Sequence, residues 1–306
     1  IMYRLFLLIF LIATSAFVLQ KDIAGSSKSE KTFELNAGNT TMKISANGGR
    51  IISFRLGNKE LITDKSEHEN FGSTLWTSPQ SDWGWPPYRV LDADEYRVEK
   101  LGDTLKMTSE PDVISGLQFE KKFIVTGNHF IRIEYLIRNV GEQAKKVAPW
   151  EVTRVPCGGM AFFPWGGKAT IPASTLKTNL SKGNVNWVSI DKTTIPNHQK
   201  LFATAREGWL AYAFNNLLLI KQFPDTKPAN YSPNQAEVEI YTNKDKLYAE
   251  LENHGMFTLL QPGQALSYVV NWQLQAIPKT IKSDAGNTGL FSFARKQVCV
   301  MNNTHH

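Results

Sequence analysis

The sequence predicts an all-β chain, a large antiparallel β-sandwich, on three observations. From Thr32 onward apolar residues recur with a period of two rather than 3.6. Turn-forming pairs, among them Gly48-Gly49, Gly57-Asn58 and Pro262-Gly263, follow one another at intervals too short for helices. No stretch long enough for a helix carries a convincing amphipathic stripe. Strands without intervening helices pair antiparallel and pack face to face, so helix content is expected to stay at or below about 10%.

Taken in chain order, the first element is a targeting segment. Arg4 precedes an unbroken apolar run from Leu5 to Ala13, and Thr14-Ser15-Ala16 supplies the small residues that signal peptidase needs. Residues 1–16 are therefore expected to be a signal peptide, with a mature start between Phe17 and Ser26 and a periplasmic or secreted location. The apolar stretch ends at Leu19, short for a membrane span, so membrane contact is expected only through this segment if it stays uncleaved. Residues 17–31 are polar and read as a linker. Within 32–278, a single β-sandwich domain, Phe119, Lys121, Phe123 and Val125 alternate with polar neighbours before a Gly127-Asn128 turn. Ile131, Ile133, Tyr135 and Ile137 then form one face of the next strand. Trp209–Phe214 and Leu217–Ile220 read as a hairpin, because the Asn215-Asn216 pair between them tolerates positive φ. Lys221, directly after it, reads as a surface cation. Val238 and Ile240, then Leu247, Ala249 and Leu251, then Leu266 to Leu274 continue the alternation. Residues 279–306 read as a C-terminal tail, in which Leu290–Phe293 could add an edge strand.

Composition narrows the function. Of 306 residues, 42% are hydrophobic and 20% charged, which excludes a disordered chain. The net charge of +6 is small and no basic run exceeds two residues, so a nucleic-acid partner is not expected. There is no GxGxxG, Walker loop or GxSxG elbow, and neither a nucleotide nor another cofactor is expected. Cys157 and Cys299 are the only cysteines, and they could bridge after export or remain as two thiols. The six histidines form no HxH or HExxH cluster, so no metal site is expected. Aromatic residues reach 11%, with eight Trp, a richness common where rings stack on sugars.

Three segments carry candidate chemistry. The first, Leu75 to Pro87, holds Trp76, Gln80, Trp83 and Trp85 in a Pro-rich loop. Trp stacks on the apolar face of a pyranose while its N–H donates a hydrogen bond, although a lid on the core would use the same rings. The second is Trp150-Glu151-Val152-Thr153-Arg154. Alternation places Trp150, Val152 and Arg154 on one face and Glu151 on the other; with Trp150 and Val152 assigned to the core, Glu151 is expected to face outward. The third is Tyr248 to His254, where Glu250, Glu252 and His254 share one face opposite Ala249 and Leu251. Two carboxylates about 7 Å apart, followed by an imidazole, can divide general acid and base roles. Glu151 and one of Glu250 and Glu252 are expected in the same concave pocket, with Arg154 contributing to binding.

The order of these elements resembles the galactose mutarotase superfamily, a large antiparallel β-supersandwich. Ala46-Asn-Gly-Gly-Arg50-Ile-Ile-Ser-Phe54 is similar to its first-strand signature, and Ile137 to Trp150 resembles its asparagine-turn segment. Trp76-x-x-Pro79-Gln80 with Trp85-Pro86-Pro87, the segment from Trp150 to Gly159, and Pro262-Gly263 before Trp272 look like an uncharacterised, domain-of-unknown-function branch. The resemblance covers about residues 33–275. It implies a sugar-facing concave surface and a late Glu as general base, here Glu250 or Glu252. The superfamily's catalytic His would fall on or beside Glu151, where no histidine stands, and its Asn-Arg pair is replaced around Gly72–Trp76. The reading that follows is an exported carbohydrate-binding protein. The alternatives are a carbohydrate-active enzyme using Glu151 with Glu250 or Glu252, and a scaffold sandwich that binds another protein.

Overall fold

The hairpin of Leu117–Gly127 and Phe130–Asn139 shows how the alternation is satisfied: Phe119, Phe123, Ile131, Ile133 and Ile137 are all buried on one face. The computed structural model describes residues 30–168, 174–181, 183–193, 198–245 and 247–303. The signal segment 1–16 and all but the end of the 17–31 linker lie outside the described residues. Strands account for 52% and helix for 9%, within the expected limit.

The strands form two layers. One runs Thr32–Ala37, Thr40–Ser45, Ile51–Leu56, Ser73–Ser78, Lys145–Pro156, Tyr248–His254, Val238–Thr242 and Gln199–Ala205, each antiparallel to the next. The other runs Arg97–Leu101, Thr104–Thr108, Leu117–Gly127, Phe130–Asn139, Ala265–Ala276, Leu217–Gln222 and Trp209–Phe214. The strand Gly159–Lys168 belongs to both: Met160–Phe162 pairs with Trp209–Phe214, and from Trp165 on it pairs with Gln199–Ala205, with a register shift between Trp165 and Gly167. A bulge of this kind bends a strand from one layer into the next. The predicted Asn215-Asn216 turn has both residues at positive φ, 49° and 61°.

The main core fills the space between the layers, with Phe54, Phe119, Phe123, Leu251 and Trp272 among its fully buried members. Lys121 lies in it as well, reaching Gly48 O at 2.6 Å beneath the Tyr96 ring. Gly48 itself sits at φ +67°, where an added Cβ would lie 2.0 Å from Asp92 O. That close approach brings the Asn47–Arg50 turn against Asp92, and Arg50 Nη2 donates to Asp92 Oδ2 at 2.9 Å.

The C-terminal segment departs from the expected tail. Thr288–Asn303 is an α-helix, and Leu290–Phe293 is its first turn rather than an edge strand. Leu290, Ala294 and Val298, four residues apart, pack on Trp209, Leu218 and Ile220 over the outer face of the second layer. Asn287 Oδ1 accepts the Leu290 N–H at 3.0 Å, the bond of an N-cap. The stripe is one residue wide, too narrow to stand out from sequence, yet with Phe291 stacked on the Trp209 ring the helix helps to bury it completely. Cys157 is buried, Cys299 is exposed on this helix, and the two are not bridged to each other.

Candidate functional site

Direct cross-strand partners point to the same face of a sheet, so register determines which side chains meet. Three rows result on the outer, concave face of the first layer. Lys200, Tyr241, Glu250 and Arg154 form one row across four adjacent strands. Phe202, Glu239, Glu252, Val152 and Thr74 form the next. His254, Trp150 and Trp76 form the third.

Glu151 is not among them. It pairs with Asn253 and Leu75, on the opposite face, so the expectation that it shares a pocket with Glu250 or Glu252 is overturned. Its carboxylate lies fully buried between the layers, where Lys221 Nζ meets Oε2 at 2.9 Å. Tyr135 OH donates to Oε1 at 2.5 Å and Trp272 Nε1 to Oε2 at 3.3 Å. Lys221 is correspondingly not a surface cation: it is buried in the core and also donates to Thr153 Oγ1 and Leu251 O. The Glu151 expectation failed for one reason. Trp150 and Val152 belong to an aromatic cluster on the cleft side with Trp76 and Trp83, so hydrophobicity did not mark the core face here.

The middle of the concave face is a buried ionic cluster. Lys200 Nζ bridges Glu239 Oε2 at 2.6 Å and Glu252 Oε2 at 3.0 Å, above the Trp150 ring. Trp150 Nε1 donates to Glu252 Oε2 at 2.7 Å, and its ring stacks on His254 at 5.2 Å. Burial works against the Lys200 ammonium, yet Glu252 and Glu239 outweigh it and hold the group above its ordinary range. Burial pushes the Glu239 carboxyl up to about 8 against the pull of Lys200, and Glu252 adds to the rise. Burial keeps His254 well below the ordinary imidazole range, and Lys200 and Lys221 push it the same way. His254 Nε2 lies 3.3 Å from Glu239 Oε1, so a carboxyl raised by burial faces a neutral imidazole. Glu239, Glu252 and His254 offer three ligand atoms within 4.8 Å of one another, a spacing that suits a cation, and the tethered ammonium of Lys200 already lies against both carboxylates.

Above this floor opens a cleft of about 520 Å³, within the size range of small-molecule sites. Trp76, Trp85 and Trp150 line it together with Tyr241 and Tyr248, and Gln80, Lys200 and Glu250 supply polar groups. Burial raises the Glu250 carboxyl, against the pull of Arg154, whose Nε donates to Glu250 Oε1 at 2.9 Å. His198, at φ +54°, also borders the cleft and pairs its Nδ1 with Tyr241 OH at 2.9 Å.

The predicted residues thus divide. Trp76, Gln80, Trp85 and Glu250 border the cleft, while Glu252 and His254 lie beneath it. Trp76 sits in the strand Ser73–Ser78 rather than in a loop, and its Nε1 donates to Asp92 at 2.8 Å. Trp83 backs Trp76 and Trp150, its Nε1 bonded to Thr77 O, and does not border the cleft. Arg154 is fully buried, with its guanidinium 5.1 Å from the Trp76 ring centre. Lys200, Glu239 and Tyr241 were missed. The signal was available, since Glu239 and Tyr241 alternate with Val238 and Ile240 just as Glu250 and Glu252 alternate with Ala249 and Leu251.

Over residues 55–275 the sequence matches the family described as a domain of unknown function (DUF4380). No curated protein matches it. Among solved structures, a galactose mutarotase-like protein from Lactobacillus casei is similar with a TM-score of 0.60 at 11% identity, covering 80% of this chain and 100% of that one. An aldose epimerase homologue from C. elegans is similar with a TM-score of 0.54 at 8% identity, over 82% of this chain and 100% of that one. A TPR-domain containing protein from Parabacteroides distasonis shares the fold over 84% of this chain and 49% of its own, with a TM-score of 0.59 and 15% identity. At these identities the likeness establishes a galactose mutarotase-like fold.

Proposed function

The chain belongs to the DUF4380 family, a domain of unknown function, and from that premise we propose that it binds carbohydrate in the concave cleft. One observation carries the reading: Trp76, Trp85 and Trp150 line a single cleft between polar side chains. Indole rings stack on the apolar faces of sugars while neighbouring polar groups take up the hydroxyls. The leader-like segment at residues 1–16 supports export, so the ligand is met in the periplasm or outside the cell. Tryptophan fluorescence titrated against a panel of mono- and oligosaccharides tests the proposal. Saturable quenching by at least one sugar supports it; a panel without any response rejects it.

A second reading, catalysis on the bound sugar, is favoured by the presence of Glu250 and Lys200 in one cleft. Both border the cleft, one a carboxylate raised by burial and the other a firmly protonated ammonium. A base can take a proton from a sugar hydroxyl while a fixed positive charge in the same site stabilises the oxyanion that forms. This reading no longer involves Glu151. Anomer exchange of a bound sugar, followed by proton NMR, decides it: exchange above the buffer rate that Glu250→Gln abolishes, with binding retained, supports catalysis.

A further inference from the structure

A second cavity of about 390 Å³ adjoins the first, and Asn70 and Trp85 border both. Arg50, Lys65, Glu69 and Asp92 line it together with Phe71 and Pro86. Arg154 lines neither cavity but neighbours residues of both. Its Nε is tied to Glu250, which borders the first compartment, and its charge is felt by Arg50 and Asp92, which border the second. Neither Nη1 nor Nη2 of this fully buried guanidinium has a hydrogen-bond partner among the described residues. Leaving buried charged donors without a hydrogen bond costs more than leaving a neutral group so, and the Trp76 ring 5.1 Å away accepts none of these bonds in full, so the arrangement suits an acceptor from outside the fold. Trp85 is 58% exposed and meets Trp76 edge-on at 5.8 Å, so shifting it to admit an acceptor disturbs little packing.

We propose that the ligand is an oligosaccharide of at least two units, lying across the Asn70–Trp85 wall with one unit in each compartment. The inference rests on the carbohydrate reading and adds the length of the ligand. Each compartment alone is of small-molecule size, and a single sugar ring occupies only one of them. A spanning glycan sandwiches Trp85 between its units and presents a hydroxyl to the Arg154 donors.

The test uses the full chain and isothermal titration with xylo-, cello-, manno- and malto-oligosaccharides of one to six units. The recognised series is expected to gain about tenfold or more in affinity from one unit to two or three, and then to level off. Lys65→Trp and Glu69→Trp, at exposed positions in the second compartment, are expected to bring that ratio close to one. A wild-type ratio near one, or a ratio that both substitutions leave intact, overturns the inference while the cleft reading stands. Absence of binding by every series overturns both.

Discussion

Replacing Glu151 by Gln tests whether this residue holds the core together or serves the site. The change keeps the shape and one acceptor oxygen, although Tyr135 and Trp272 bond different oxygens, and it removes the charge that faces Lys221 at 2.9 Å. Breaking one partner of a buried ion pair costs about 3–5 kcal/mol, because the other charge is left without compensation. A second route gives the same size. Lys221 can escape by losing its proton, and neutralising a lysine of ordinary pKa about 10.4 at pH 7 costs about 5 kcal/mol, which caps the penalty. Burial already holds the Lys221 ammonium below its ordinary range while Glu151 opposes the shift, so removing Glu151 strengthens the tendency to deprotonate. The sign of the pH effect follows. In the variant, folded Lys221 is neutral while the unfolded lysine is charged, so the unfolded state binds the extra proton and stability rises with pH toward about 10. Urea unfolding of wild type, Glu151→Gln, Lys221→Met and the double variant measures all of this. The cycle is expected to return an interaction energy of about 2 kcal/mol or more. A loss below about 1 kcal/mol together with a binding defect would falsify the core assignment and return Glu151 to the site.

Four further outcomes are expected. Burial lowers the Lys121 pKa to about 7, so wild-type stability should rise between pH 7 and about 10 through this group, and Lys121→Met should flatten that part of the profile in urea unfolding. Trp85→Ala should weaken glycan binding in a fluorescence titration with the urea midpoint nearly unchanged, since the ring is 58% exposed, whereas Trp209→Ala should cost about 3–5 kcal/mol. Leu290→Ala, which opens a hole beneath the C-terminal helix, should cost about 2–5 kcal/mol; no loss by differential scanning calorimetry would mean the helix does not dock. Protein recovered from its native host should begin between Phe17 and Ser26 on amino-terminal sequencing, and an intact leader would contradict export.

The strands and the all-β fold class were legible because a period of two and the Asn- and Gly-rich turns are local properties, each stated within a few residues. Alternation also placed Glu250, Glu252 and His254 together on one face of their strand. The C-terminal helix was not legible, because its stripe of Leu290, Ala294 and Val298 gains meaning only against a flat apolar surface built from residues far away in sequence. The direction of the Trp150–Arg154 strand was not legible either. Alternation divides a strand into two faces but does not say which is the core, and that choice rested on the apolar side being inside. Here the outer face is a floor of tryptophans, and the inner one carries Glu151 because Lys221, from the other layer, meets it there. A charge can be buried wherever the fold delivers its counter-charge, and only the tertiary structure says where two distant residues meet.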